Sequence, residues 1–140
     1  MFILVIGCRR TGSKLAGILS QKGHDIVILD KNPEKFRRLS LEFSGFKIEG
    51  DALEHDILKK AKITDVDLLI ITTGNDKINY FLAQLAKTEF EIDDIYVRIK
   101  DPEKNRMFKD QSKIKVVNPL DLLLDDILAS IDKKGEKDAN

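Results

Sequence analysis

Short apolar runs alternate along the chain with segments of helical periodicity. Six runs rich in aliphatic and β-branched residues predict strands at residues 2–6, 26–29, 46–48, 67–71, 95–98 and 114–117. The run from Leu68 to Ile71 shows no alternation of apolar and polar residues, which is typical of a strand covered on both faces. Between the runs we predict helices at residues 11–22, 33–43, 53–61, 75–89 and 102–110. This alternation predicts an α/β fold with a parallel sheet.

Capping residues mark several helix ends. Asn32 and Asp101 each precede a proline, so each can cap a helix whose first position is that proline. Gly23 is expected to end the first helix. At residues 120–131, leucine and isoleucine recur every three or four positions, which predicts an amphipathic carboxyl-terminal helix. Residues 133–140 are charged and poor in apolar side chains, and we expect a flexible tail there.

The order of the strands follows from the handedness of the connections. Right-handed crossovers between parallel strands predict a doubly wound, Rossmann-like sheet with the order 3-2-1-4-5-6. We assign residues 1–132 to this one domain. A ligand cleft is expected at the carboxyl ends of the first and fourth strands. The residues that directly follow each strand are therefore the candidate site residues.

A glycine turn follows the first strand, in the run GCRRTG from Gly7 to Gly12. Gly7 permits a sharp turn, Gly12 permits close packing of the helix on the sheet, and the helix amino terminus offers free N–H groups to a phosphate. Arg9 replaces the middle glycine of the fingerprint, so its side chain either crowds the ligand or turns outward. Arg10 lies in the same turn, where a guanidinium can bind phosphate oxygens.

Acidic residues follow the second and third strands. Asp30 is placed where a carboxylate accepts hydrogen bonds from ribose hydroxyls, and its charge disfavours the 2′-phosphate of NADP. Asp51 can accept a hydrogen bond from an adenine amino group, or it can cap the helix that begins near Leu53. The sequence favours neither role for Asp51.

Polar residues also follow the fourth and fifth strands. Thr73 and Asp76 resemble a capping box with Asp in place of Glu, which is a structural role. Gly74, between them, would let a ligand approach the backbone, and the two roles are compatible. Arg98 places a positive charge near the same cleft, although an exposed surface position is an equal alternative.

Composition excludes several classes of function. Lysine plus arginine and aspartate plus glutamate both number 24, so a formal net charge of zero predicts no general attraction to nucleic acid. No apolar run approaches the ~18 residues of a membrane span, and no signal peptide precedes the first strand, so we expect a cytoplasmic protein without direct membrane insertion.

Cys8 is the one cysteine, which excludes an internal disulfide. The spacing of His24 and His55 indicates neither catalysis nor zinc binding, and we predict no catalytic residue and no metal site.

Together these motifs resemble the nucleotide-binding RCK or KTN domain of the TrkA-N type, found in cytoplasmic regulators of potassium channels and of Trk and Ktr transporters. The resemblance covers nearly the whole chain up to the end of the amphipathic helix. It is carried by the glycine turn and, in order, by GHDIVILDKNPE, GDA, TTGNDKIN, RIKDPE and VVNP. Arg9 departs from the family, which usually has glycine there, and this departure favours adenine mononucleotides as competitors of NAD. Many relatives also carry a carboxyl-terminal ligand domain.

The resemblance implies a regulatory subunit and not an enzyme. Such domains dimerise, assemble into rings on a membrane potassium channel or transporter at the inner face of the membrane, and convert binding of NAD, NADH, ATP, ADP or AMP into gating. The amphipathic helix is similar to a segment exchanged between subunits, with packing on its own sheet as the alternative. The nucleotide-binding residues so implied are Gly7, Arg10 and Gly12 at the phosphates, with Cys8, Arg9 and Thr11 in the same turn, Asp30 and Lys31 at the ribose, Asp51 and Ala52 at the adenine, Thr73, Gly74 and Asn79 along the cleft, and Arg98 toward the phosphates.

Two other functional classes fit parts of the pattern. An NAD-dependent oxidoreductase would use the same cofactor fold, but it needs a substrate pocket and an acid–base group, which a second domain usually supplies. A phosphorylation receiver would use Asp51, Thr72 and Lys100 at the strand ends. Its magnesium site requires acids after the first strand, where this chain has Gly7 and Cys8. The regulatory domain is therefore favoured over both.

Overall fold

The computed structural model describes residues 1–108 and 111–139. The strands are β1 (Phe2–Ile6), β2 (Asp25–Asp30), β3 (Phe46–Glu49), β4 (Leu68–Ile71), β5 (Ile95–Arg98) and β6 (Ile114–Val117). The α-helices are α1 (Arg10–Gln21), α2 (His55–Lys60), α3 (Asp76–Thr88) and α4 (Pro119–Ala139). Short 3₁₀ helices lie at Pro33–Arg38, Ile63–Asp65 and Pro102–Phe108.

The strands form one parallel sheet in the order β3-β2-β1-β4-β5-β6. This confirms the predicted fold class and strand order. Alternate residues of β1 pack on opposite faces: Leu4 belongs to the core cluster that includes Leu82 of α3, and Val5 belongs to the cluster that includes Ala16 of α1. Because helices cover both faces, every position in the middle of the sheet is apolar, and the alternation typical of a half-exposed strand is missing.

Two predicted helices are shorter and tighter than the sequence indicated. The segment predicted at residues 33–43 is helical only over Pro33–Arg38, where it forms a 3₁₀ helix with no buried residue. Phe36 packs against the core cluster that includes Ala16 but is only partly buried, and this limited burial gains too little from packing to continue the helix. The segment predicted at residues 102–110 is a 3₁₀ helix over Pro102–Phe108, and its last two predicted residues lie outside the described ranges.

The predicted helix starts at the two prolines are correct. The Asn32 side chain accepts a hydrogen bond from the Glu34 N–H at 3.1 Å. The Asp101 carboxylate accepts one from the Glu103 N–H at 3.0 Å. Each proline is therefore preceded by a capping side chain, as the sequence predicted.

The carboxyl-terminal helix α4 extends into the predicted tail, because it continues through residues 133–139. The mobility of these residues is untested and stays a prediction. Every side chain at residues 119–138 is exposed. The large apolar side chains of α4, each between 46% and 58% exposed, are Leu120, Leu122, Leu123, Leu124, Ile127, Leu128 and Ile131. The alternative in which this helix packs on its own sheet is therefore wrong.

Across the described ranges, no helix combines the length and the apolar content that crossing a bilayer requires.

Candidate functional site

A cavity of about 490 Å³ opens at the carboxyl ends of β1 to β4. Its size is within the range of small-molecule sites, roughly 300–1,000 Å³. The lining combines aliphatic residues with charged and amide side chains. Its residues are Ile6, Gly7, Arg9, Leu29, Asp30, Lys31, Asn32, Lys35, Gly50, Asp51, Ala52, Leu53, Thr73, Gly74, Asn75 and Ile78. The cavity lies where the strand order predicted a ligand cleft.

The structure brings eight of the predicted site residues to this cavity, namely Gly7, Arg9, Asp30, Lys31, Asp51, Ala52, Thr73 and Gly74. Six others do not line it: Cys8, Arg10, Thr11, Gly12, Asn79 and Arg98. Eight further lining residues were not predicted as site residues, namely Ile6, Leu29, Asn32, Lys35, Gly50, Leu53, Asn75 and Ile78. Asn32 was predicted only as a cap. Lys35 and Ile78 are each the third residue of the helix that follows a strand, and this position in the first helical turn is the sequence signal for them.

Gly7 and Gly12 have the structural roles predicted for them. Gly7 has a φ of +102°, and a Cβ there would lie 2.8 Å from the carbonyl carbon and oxygen of Thr72. A Cβ at Gly12 would lie 1.9 Å from the carbonyl oxygen of Gly7. The first turn of α1 therefore packs directly against the backbone of the glycine turn, which brings the helix amino terminus to the cleft.

Asp30 connects the glycine turn to the loop after β2. One carboxylate oxygen accepts the Cys8 N–H and the other accepts the Asn32 N–H, both at 2.8 Å. The residue is buried and lines the cavity. Each carboxylate oxygen can accept two hydrogen bonds, so both retain acceptor capacity toward the cavity.

Cys8 is fully buried and does not line the cavity. Its thiol donates to the Lys35 carbonyl oxygen with an Sγ–O distance of 3.4 Å. Burial, and secondarily the charge of Asp30, raises the pKa of the Cys8 thiol to about 11. The side chain is therefore a neutral packing group at physiological pH.

Asp51 caps a turn and not a helix. Its carboxylate accepts the Leu53 N–H at 2.9 Å, while α2 begins only at His55, with Glu54 as the capping position. The expected helix start near Leu53 is thus two residues too early. Asp51 lines the cavity, so its other acceptor sites remain available to a ligand.

The turn between β4 and α3 differs from the predicted capping box. Asn75 has an extended backbone and caps α3 by accepting the Ile78 N–H at 3.1 Å. Asp76 is the first helical residue, and its carboxylate accepts the N–H groups of Lys100 at 2.9 Å and Asp101 at 3.0 Å. Asp76 therefore fixes the loop after β5, because Asn75 already occupies the capping position.

Asn79 lies behind this turn and is fully buried. Its Nδ2 donates to the carbonyl oxygens of Thr73 at 3.1 Å and Arg98 at 2.8 Å, and its Oδ1 accepts the Thr73 hydroxyl. The amide thus joins the ends of β4 and β5. It positions Thr73 and does not itself line the cavity.

Arg98 also supports the turn from behind. Its guanidinium donates to the Thr73 carbonyl at 3.0 Å, to the Thr72 carbonyl at 3.4 Å and to the Thr11 hydroxyl at 3.3 Å. Burial lowers the pKa of Arg98, and the charge of Arg9 lowers it further. These contacts link β5, the β4–α3 turn and the first turn of α1.

Arg9 and Arg10 are both exposed, but Arg9 lines the cleft and Arg10 lies outside it. A Cβ added at Gly74 would lie 1.7 Å from Nη1 of Arg9 and 2.9 Å from its Cζ. The Arg9 guanidinium therefore rests on Gly74, on the opposite side of the cleft from its own backbone. Of the two orientations expected from the sequence, the structure shows the one that crowds the cleft.

No group of three or more histidine, cysteine, aspartate or glutamate residues within 1–108 and 111–139 is arranged to hold a metal ion.

Comparison with known proteins relates the sequence to potassium uptake proteins. The model of the TrkA-N domain matches residues 3–119. The chain is 33% identical over 140 residues to the Trk system potassium uptake protein TrkA homolog of Pyrococcus abyssi, covering 96% of this chain and 62% of that protein. It is 32% identical over 109 residues to the Trk system potassium uptake protein TrkA of Streptomyces coelicolor. This match covers 78% of this chain and 49% of that protein. The chain thus spans between a half and two thirds of the length of these curated relatives.

Solved structures share the fold. The TrkA-N domain of the inner membrane protein ybaL from Escherichia coli has a TM-score of 0.79 at 19% identity, covering 91% of this chain and 94% of that one. The Shewanella denitrificans Kef CTD in AMP-bound form has a TM-score of 0.69 at 22% identity, covering 84% of this chain and 72% of that one. The GsuK channel bound to NAD has a TM-score of 0.69 at 23% identity, covering 84% of this chain and 20% of that one.

Proposed function

The chain belongs to the TrkA-N domain family, and from this premise we propose that it binds an adenine nucleotide in the cavity and thereby regulates a membrane potassium channel or transporter. The observation that carries the proposal is the position of Asp30. A buried carboxylate with free acceptor sites lies in the cavity beside the glycine turn and the start of α1. This arrangement supports a ribose at Asp30 and phosphates near the amino terminus of α1.

The adenine, the ribose and the phosphates of such a ligand would each meet a suitable group of the cavity lining. The adenine ring would lie against Leu29 and Ala52, where Asp51 can accept a hydrogen bond from its amino group. The ribose would bind Asp30, with Lys31 beside it, and the phosphates would extend toward Gly7 and α1. Solved structures of the same fold contain AMP or NAD, which supports an adenine nucleotide as the ligand class.

A regulatory role is favoured over hydride transfer. Among the described residues that line the cavity there is no histidine, the most frequent general acid or base; the ionisable side chains there are aspartate, lysine and arginine. Asp30 is already engaged by two backbone N–H groups. We therefore propose a nucleotide sensor in the cytoplasm, held at the inner face of the membrane by its transport partner, and not an NAD-dependent oxidoreductase.

Substitution of Asp30 tests the nucleotide site. Isothermal titration of wild type with NAD⁺, NADH, ATP, ADP and AMP is expected to show binding of at least one of them. Asp30→Ala is expected to weaken that binding about tenfold or more, because the ribose loses a charged acceptor. Binding unchanged in Asp30→Ala would remove Asp30 from the site, and no binding by wild type would overturn the proposed function.

Asp67→Ala is the matched control for this experiment. Asp67 also accepts a backbone hydrogen bond, from Phe2 N–H at 2.7 Å, but it lies at the opposite end of the sheet. Its replacement is expected to leave nucleotide affinity unchanged. Thermal unfolding of both variants, recorded by circular dichroism, separates lost binding from lost folding.

The uncovered face of α4 supports a second part of the proposal, a homodimer that assembles into a ring. Leu123, Leu124, Ile127 and Ile131 lie on one face of this helix and are each 46% to 58% exposed. A continuous exposed apolar stripe of this kind marks an interaction surface. We propose that the stripe is covered by a second copy of the chain, as in the subunit exchange that the family resemblance implies.

Substitutions on α4 test the dimer. Ile127→Asp is expected to convert a dimer into a monomer in sedimentation equilibrium, because it places a charge within the apolar stripe. Leu122→Asp makes the same kind of change on the opposite face of α4, and it is expected to preserve the dimer. A wild-type chain that stays monomeric at every concentration would contradict this part of the proposal.

A further inference from the structure

Arg9 occupies a position at which the nucleotide-binding fingerprint has a glycine. It is the capping residue of α1, with an extended backbone and no capping hydrogen bond from its side chain. The side chain is free to cross the cleft, and its guanidinium reaches Gly74 in the β4–α3 turn. A glycine at position 9 would leave this part of the cleft open.

The charge around Arg9 is not neutralised by the protein. Within the described residues, its guanidinium has neither a hydrogen bond nor an ion pair. The first turn of α1 contains no acidic residue, and the helix amino terminus adds a partial positive charge. In the β4–α3 turn, the Asp76 carboxylate accepts the N–H groups of Lys100 and Asp101 and lies 3.8 Å from Nζ of Lys104.

A second arginine lies close to the first. Arg98 is near enough for the charge of Arg9 to lower the pKa of its guanidinium. The buried Nε of Arg98 also lacks a hydrogen-bond partner. Arg9 lines the cleft, Arg98 lies behind the β4–α3 turn, and Asp76 offsets part of the charge on Arg98. The remaining positive charge, together with the helix amino terminus, favours an anion at this end of the cleft.

We propose that Arg9 determines ligand choice, so that the cleft accepts adenine mononucleotides with a terminal phosphate in preference to the dinucleotide NAD. This inference rests on the proposed nucleotide site. With adenosine between Asp30 and Asp51, the phosphates run past Gly7, and the second half of a dinucleotide must continue past Gly74. The Arg9 guanidinium lies against Gly74, in the path of that second half. Its guanidinium can instead bind a terminal phosphate through two parallel hydrogen bonds.

Calorimetric titration with ADP and with NAD⁺ tests the inference on wild type, Arg9→Gly and Arg9→Gln. Wild type is expected to bind ADP about tenfold or more tightly than NAD⁺. Arg9→Gly reopens the passage and removes the charge, so its ADP affinity is expected to fall and its NAD⁺ affinity to rise. Arg9→Gln retains most of the side chain without its charge, so it is expected to lose ADP affinity and still to disfavour NAD⁺.

Arg37→Gln is the matched control, because Arg37 is exposed on the 3₁₀ helix after β2 and lies outside the cavity. It is expected to bind both nucleotides as wild type does. If wild type binds ADP and NAD⁺ equally and neither Arg9 variant changes the ratio, the role of Arg9 is overturned while the proposed nucleotide site stands. If wild type binds neither ADP, NAD⁺ nor any other adenine nucleotide, both the proposed function and the role of Arg9 are overturned.

Discussion

Replacing Gly12 with alanine is expected to lower the free energy of unfolding by about 3 kcal/mol. The new Cβ would lie 1.9 Å from the carbonyl oxygen of Gly7 and 2.7 Å from Oγ1 of Thr72. The glycine turn cannot move away easily, since the Gly7 N–H donates to the Leu29 carbonyl at 2.8 Å. Helix α1 must therefore shift outward from the sheet. Urea unfolding followed by circular dichroism measures the loss.

Gly135→Ala is the control for the glycine substitution. It makes the same chemical change in α4, where a Cβ would meet no atom within 4 Å. Alanine is favoured over glycine in a helix interior by up to about 1 kcal/mol, so this variant is expected to be as stable as wild type or slightly more stable. A loss below about 0.5 kcal/mol in Gly12→Ala, the range of ordinary surface substitutions, would show that α1 is not packed as closely as described.

Replacing Asn79 with alanine is expected to lower the free energy of unfolding by about 3 kcal/mol, because several buried polar groups lose their partners together. The carbonyl oxygens of Thr73 and Arg98 would each lose an N–H donor. The Thr73 hydroxyl would lose Oδ1 of Asn79 and keep only the more distant acceptor, the Asn75 carbonyl oxygen at 3.4 Å. The ends of β4 and β5 would then separate at the edge of the cleft. The same urea titration, monitored by circular dichroism, measures this effect.

Asn105→Ala provides the comparison for Asn79. Asn105 is half-buried, its Oδ1 has no hydrogen-bond partner among the described residues, and its amide donates one hydrogen bond, to the Asp121 carboxylate at 3.2 Å. Its removal is expected to cost about 1 kcal/mol or less, because only one hydrogen bond is lost. Equal stability losses in the two variants would contradict the role of Asn79 as the buried connection between β4 and β5.

The strands were predictable because their signal is local. The predicted bounds of the first, fifth and sixth strands agree with β1, β5 and β6, since each is a short apolar run ended by a polar or glycine residue. The helices were less predictable. The segment after Pro33 has helical spacing in the sequence, but it buries no residue and forms only a short 3₁₀ helix.

The sequence predicted the cavity residues at the strand ends, but it did not predict which residues support the β4–α3 turn. Asp30, Asp51 and Gly74 line the cavity because parallel strands bring their carboxyl ends to one edge, whatever the detailed packing. The sequence also placed Asn79 and Arg98 in the cleft, but the structure uses both to hold the β4–α3 turn. Their hydrogen-bond partners come from other strands, and residue spacing carries no information about such contacts.

The sequence by itself determined the α/β class, the strand order, the two close-packed glycines and the acid at the end of β2, because chain periodicity and backbone sterics act over a few neighbouring residues. Only the tertiary structure decided that Arg9 lies on Gly74 and that the apolar face of α4 is left uncovered. The orientation of a long side chain, and the covering of a helix face, depend on surfaces contributed by distant parts of the chain. Those surfaces exist only after the sheet has assembled.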